Sequence, residues 1–137
     1  MDSSQPLVIQ TRHWQQMLED VVRRVPEEAC GLIAGRDGRS QAVYPVANSL
    51  HSPVRFLMEP AEQVADLLDI EDHGWELLAI YHSHPRGPAI PSPTDVAESY
   101  YPGVAQLIWH PGDEGWSCRA YLINEGLVTE LPLHDYP

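Results

Sequence analysis

One uninterrupted apolar run, Leu77-Leu78-Ala79-Ile80-Tyr81, constrains the fold of this chain more than any other stretch. A strand wetted on one face alternates apolar and polar residues, whereas a strand without alternation is covered on both faces. The run therefore predicts a central strand with packed layers above and below it.

The rest of the chain supplies those layers. Trp14, Met17, Leu18, Val21, Val22 and Val25 recur along one helical face, which predicts a helix over 12–25 ended by Pro26. Cys30-Gly31-Leu32-Ile33-Ala34 and Gln41-Ala42-Val43-Tyr44 read as strands joined at Asp37-Gly38, a strong hairpin turn signal. Phe56-Leu57-Met58 is expected to be a short strand. Pro60 opens a second helix with Val64, Leu67 and Leu68 on its buried face, and Gly74 fits its C-terminal cap. A proline-rich loop with Pro85, Pro88, Pro91 and Pro93 leads to a short helix near Ser92. Late strands are expected near 105–109, 117–123 and 127–131, the last two joined by a tight turn at Asn124-Glu125-Gly126. The order predicts an α/β (α+β) sandwich, a mixed sheet flanked by helices, with residues 1–137 forming a single domain.

Composition excludes several functions. The formal charge of -12, from 20 acids against 8 bases, is wrong for a nucleic-acid binder or an anionic membrane surface. No apolar run approaches the roughly 20 residues that span a bilayer. The polar, acidic start Met1-Asp2-Ser3-Ser4-Gln5 lacks the features of a signal peptide, so a cytoplasmic location is expected. The two cysteines, Cys30 and Cys118, are read as reduced thiols, too few for a Cys-rich structural zinc site.

The central strand ends in His82-Ser83-His84. Residues i and i+2 of a strand share a face, so two imidazoles project side by side from a rigid support. Zinc takes such nitrogens at about 2.0–2.1 Å, and a catalytic zinc keeps three protein ligands plus an open position. Asp95, eleven residues on, could complete the three. Each piece also has a plain structural reading. His-x-His is common by chance. Ser92-Pro93-Thr94-Asp95 is a helix start, with Ser92 as N-cap and Asp95 as the acid of a capping box. The two readings of Asp95 do not exclude each other. Glu27 and Glu28 are locally just acids after a helix. Ser83 points away from the metal face, and His13, His51, His73, His110 and His134 are scattered surface or core residues. Trp109 and Trp116 read as packing residues.

Taken together, His82-Ser83-His84, seven residues, Ser92-x-x-Asp95 and an upstream Glu28-Ala29-Cys30-Gly31-Leu32 resemble the motif of the JAMM (MPN+) metallopeptidase family. The resemblance covers about residues 7–131 and matches every fixed position of that motif. It implies the MPN/JAMM (cytidine-deaminase-like) sandwich, in a minimal, stand-alone prokaryotic form. It also implies Zn2+ on His82, His84 and Asp95, Glu28 as catalytic base with Glu27 as its rival, and Ser92 as hydrogen-bond donor to the developing oxyanion. Only about ten residues separate Asp95 from the strand near Ala105, which leaves no room for a large insertion.

The implied activity is hydrolysis of an amide bond after the C-terminal tail of a ubiquitin-like or sulfur-carrier protein, releasing cysteine, an extension or an isopeptide-linked protein. The alternative is a non-catalytic scaffold or a ubiquitin-like-binding module, although such members lose ligands that this chain keeps. A zinc deaminase would need His-x-Glu and Pro-Cys-x-x-Cys, and a zincin His-Glu-x-x-His; neither string occurs.

Overall fold

The computed structural model describes the backbone of residues 7–136 and the side chains of residues 7–133. Among them, one mixed sheet carries eight strands: β1 (Leu7–Gln10), β2 (Cys30–Arg36), β3 (Arg39–Val46), β4 (Glu76–Ser83), β5 (Ala105–Gly112), β6 (Gly115–Asn124), β7 (Leu127–Leu131) and β8 (Leu133–Tyr136). Their order is β7-β6-β5-β4-β2-β3-β1-β8. The helices are α1 (Thr11–Arg24), α2 (Pro60–Asp72) and the short α3 (Pro93–Ala97). The expected α/β sandwich is the observed architecture, and β4 is central in it.

Two apolar layers cover the sheet, as the unbroken run requires. On the α1 side, Met17 and Val21 of the helix pack with Leu7, Ile9, Ile33, Tyr81, Leu107 and Trp109. On the α2 side, Ile70 packs with Cys30, Leu32, Ala34, Val46, Met58 and Ile80. The β2–β3 hairpin turns at Asp37 and Gly38, both at positive φ (54° and 78°), the left-handed backbone that such a turn demands. Within β2, Gly31 lies opposite Tyr81, and a Cβ there would stand 2.3 Å from the Tyr81 ring. Only glycine lets the ring of β4 lie against β2.

Three local expectations need correction, and two strands go beyond what the sequence predicts. Phe56-Leu57-Met58 forms no strand; Met58 makes an isolated bridge to Asn48 within a loop. Leu18, Val22 and Val25 at the α1 face are exposed rather than buried, because the sheet covers a stripe only as wide as Met17 and Val21. On α2, Val64 and Leu68 are likewise exposed, and Ile70 is the buried residue. Strands β1 and β8 have no counterpart in the sequence pattern; they pair parallel to each other, with Leu7 opposite Leu133. Helicity in α1 and α2 follows the predicted spans to within a residue or two, with Gly74 at positive φ just past the α2 cap.

Candidate metal centre

The site grows from the C-terminal end of β4. Antiparallel pairing of β2 with β4 sets Cys30 opposite His82. Continued two residues along each strand, that register brings Glu28 beside His84. On the other flank, β5 pairs parallel with β4, and the His84 amide donates to the Trp109 carbonyl at 2.8 Å. The loop after His84 is tied back to the sheet where the Tyr121 hydroxyl donates to the Ala89 carbonyl at 2.7 Å. That loop delivers α3, which opens with a full capping box. Ser92 Oγ accepts from the Asp95 amide at 3.0 Å, and Asp95 Oδ2 accepts from the Ser92 amide at 2.8 Å.

Three atoms able to ligate a metal therefore converge. His82 Nε2 and His84 Nε2 lie 3.1 Å apart, and Asp95 Oδ2 lies 3.2 Å from the first and 3.1 Å from the second. Ligands at about 2.0–2.1 Å around a tetrahedral ion would stand roughly 3.3–3.4 Å from one another, close to this triangle. The tautomer of His84 points the same way. Its Nδ1 lies 2.8 Å from the Pro88 carbonyl, so Nδ1 carries the proton and a neutral ring turns a bare lone pair toward the other two atoms. Two ring nitrogens and a carboxylate oxygen at such distances repel unless a cation sits among them. The donor set thus fits a zinc-like ion.

In the metal-free chain the electrostatics couple the same three groups. Burial lowers the pKa of His82, against the opposing pull of Asp95, which keeps a ligand-ready neutral ring. At His84 burial also works downward, but hydrogen bonding to Asp95 and to the Pro88 carbonyl, with the charges of Asp95 and Glu28, leaves its pKa raised. Burial would raise the Asp95 pKa, yet in the metal-free chain the two imidazoles, donating from Nε2 when they carry a proton there, hold that carboxyl far below its ordinary range. Phe56 stacks on His82 with ring centroids 4.6 Å apart, which fixes the imidazole plane.

Glu28 completes the cluster. A carboxylate oxygen of Glu28 and one ring nitrogen each of His82 and His84 all lie within 4.8 Å of one another. Glu28 is 3% exposed, and its Oε1 has no hydrogen-bond partner. Burial pushes its pKa up to about 8, eased by His84 and reinforced by Asp95. Its neighbour Glu27 instead pairs with His51 at 3.0 Å. Beside His82 and Asp95 lies a cavity of about 300 Å³, lined also by Arg55, Phe56, Met58, Ile80, Tyr101 and Gln106. An ion pair between Arg55 and Glu98 ties the loop bearing Phe56 to the residue that ends α3.

The structure thus brings His82, His84, Asp95, Ser92 and Glu28 together. Cys30 is a fully buried thiol whose pKa burial pushes up to about 12. His13 is buried on Ser40 at 2.6 Å, while His51 and His73 lie at the surface. The His134 side chain lies outside the described residues. Trp109 packs edge-on against Trp14. Sequence reasoning missed Asn48, a buried loop residue bonded to the Glu28 carbonyl; no periodicity marks such a residue.

An imidazole at the end of β4, a second just past it, a helix-borne carboxylate and a buried acid with an unpartnered Oε1 define a candidate metal-dependent hydrolytic centre. The chain belongs to the Prok-JAB family, the prokaryotic homologues of the JAB domain, which it matches over residues 10–123. Among curated relatives, it is 41% identical over 112 residues to a probable TtuB-protein conjugate cleaving protease of Thermus thermophilus, covering 81% of this chain and 72% of that one. It is 33% identical over 131 residues to the CysO-cysteine peptidase of Mycobacterium tuberculosis, covering 93% and 90%. Among solved structures, a Desulfitobacterium hafniense protein superposes with a TM-score of 0.85 at 33% identity, over 94% of this chain and 92% of that one. A structure titled as a JAMM metalloprotease-like zinc site in the proteasome and signalosome superposes at TM-score 0.57 and 17% identity, over 95% and 99%; that likeness shows the fold.

Proposed function

We propose that the chain is a zinc metallopeptidase that hydrolyses an amide or isopeptide bond after the C-terminal tail of a ubiquitin-like or sulfur-carrier protein. The observation that carries this reading is the convergence of three ligating atoms at 3.1–3.2 Å beside the buried, unpartnered Glu28. Relatives named as a CysO-cysteine peptidase, a TtuB-conjugate cleaving protease and a desampylase support the substrate class.

In this reading His82, His84 and Asp95 hold the ion. A zinc ion there supplies Lewis acidity, for water and for the scissile carbonyl. Glu28 takes the proton from the attacking water and passes it to the leaving amine, a task for which a pKa near neutrality is suited. Ser92 Oγ accepts from the Asp95 amide, which leaves its own hydroxyl proton free to donate to the developing oxyanion. The tail would lie in extended form along the cleft between the Phe56 loop and α3. We read residues 1–137 as one domain. We place the chain in the cytoplasm, a reducing compartment compatible with the free thiols Cys30 and Cys118.

The test offers zinc-loaded protein a carrier with a C-terminal extension and follows the carrier's mass. Loss of the extension, abolished by Glu28→Gln with the metal retained, is the expected result. Intact carriers throughout, with metal bound, would overturn the substrate class.

A further inference from the structure

Glu28 hangs from a peptide unit gripped at both polar atoms by side chains of other elements. The Glu28 carbonyl accepts from Asn48 Nδ2 at 3.1 Å, and the next amide, Ala29 N–H, donates to Ser83 Oγ at 2.8 Å. Backbone bonds flank this grip. The Glu28 amide donates to the Ser52 carbonyl at 2.8 Å, and the Ser83 amide donates to the Ala29 carbonyl at 3.0 Å. Asn48 and Ser83 are both fully buried.

At its tip the acid is unheld, since Oε1 has no partner. Its reach toward His82 and His84 is therefore inherited from its backbone. Asn48 does more than hold that backbone. Its Oδ1 accepts from the Leu50 and Leu57 amides, both at 3.1 Å, and its Nδ2 also donates to the Arg55 carbonyl at 3.1 Å. One amide side chain thus shapes the loop that presents Phe56 to His82 and fixes the origin of Glu28. Ser83 stands between the two histidines in the chain and reaches the Glu28 segment from the other face of β4.

We propose that Asn48 and Ser83 are positioning residues that set the distance between the Glu28 carboxyl and the ion-binding nitrogens. The inference rests on the reading of Glu28 as base. Neither residue touches the reacting atoms; both act through the Glu28–Ala29 peptide unit. Misplacing a reacting group by about 1 Å can cost on the order of 100-fold in rate. Such a loss falls on turnover rather than on substrate binding.

The experiment compares Ser83→Ala, Ser83→Thr and Asn48→Ala with the intact chain, all zinc-loaded. Metal stoichiometry, kcat and KM on the tail substrate are measured, with amide hydrogen exchange at Ala29. Ser83→Ala is expected to keep its metal and a KM within about 3-fold, lose roughly 10- to 100-fold in kcat, and lose protection at Ala29. Ser83→Thr keeps the hydroxyl and should restore both kcat and protection. Asn48→Ala should lower kcat in the same sense, with a greater loss of stability. Wild-type kcat in Ser83→Ala, a kcat loss merely proportional to lost metal, or failure of threonine to restore what alanine removes would each overturn the proposal. A fully active Glu28→Gln would instead overturn the assignment of the base.

Discussion

Replacing Glu28 by glutamine isolates the cost of burying that carboxyl. The side chain is 3% exposed, and burial raises its pKa from an ordinary 4.5 to about 8. Between those values the metal-free folded chain holds a proton that the unfolded chain has released, so stability falls as pH rises through the window. Every tenfold difference in proton affinity between the two states is worth about 1.4 kcal/mol. The penalty is then about 1 kcal/mol at pH 5, about 3 at pH 7, and saturates near 5 above pH 8. Glutamine has the same shape and no charge to bury. Urea denaturation of chelator-treated protein at pH 5, 7 and 9 should therefore show Glu28→Gln gaining on the parent chain by about 2 kcal/mol from pH 5 to 7, and by about 4 from pH 5 to 9. Zinc should flatten the parent's slope, because a nearby cation stabilises the carboxylate. Parallel pH curves for the two metal-free chains would refute the argument, since they would mean that Glu28 is hydrated or already charged when folded.

Other perturbations follow from the same geometry. His82→Ala or Asp95→Ala should lose near-stoichiometric zinc by metal analysis, each removing one corner of the ligand triangle. Gly31→Ala would drive a methyl into the Tyr81 ring and should cost about 1–3 kcal/mol in denaturant melts. Tyr81→Phe removes the 2.7 Å hydrogen bond from its hydroxyl to the buried Asp20, and a loss of about 1–2 kcal/mol is expected by the same measurement. Ser92→Ala should cost about 1 kcal/mol through the lost cap and lower kcat while zinc stays bound.

Legibility in the sequence follows the range of the interactions. The central strand and its histidines are readable because a period of two is local and the β4 run is unbroken. Asp95 is readable locally as a cap; only the seven-residue spacing of the motif resemblance ties it to the histidines, and its Oδ2 does meet both the Ser92 amide and the two imidazoles. Glu28 is not readable locally. Its closeness to His84 comes from the Cys30–His82 register, a pairing between strands far apart in the chain. A motif resemblance supplies what local pattern cannot. The exposure of Leu18, Val22 and Leu68 escapes the sequence for a related reason: periodicity marks a helix's apolar face but not how much of it the sheet will cover. The short β1 and β8 carry too little pattern of their own; β1 becomes a strand by pairing with β3 and β8, and β8 by pairing with β1.

Under the proposed zinc reading, Asp95 serves as both cap and ligand, and this has a consequence for how an ion would be received. Because the capping box already holds the carboxylate, its rotamer is chosen by the start of α3 before any cation arrives. Binding then freezes little new motion at that corner, and the ordering cost falls on folding instead of on capture. The dependence also runs backward: whatever frays the first turn of α3 must weaken affinity for the ion, and whatever grips the ion must stiffen that turn.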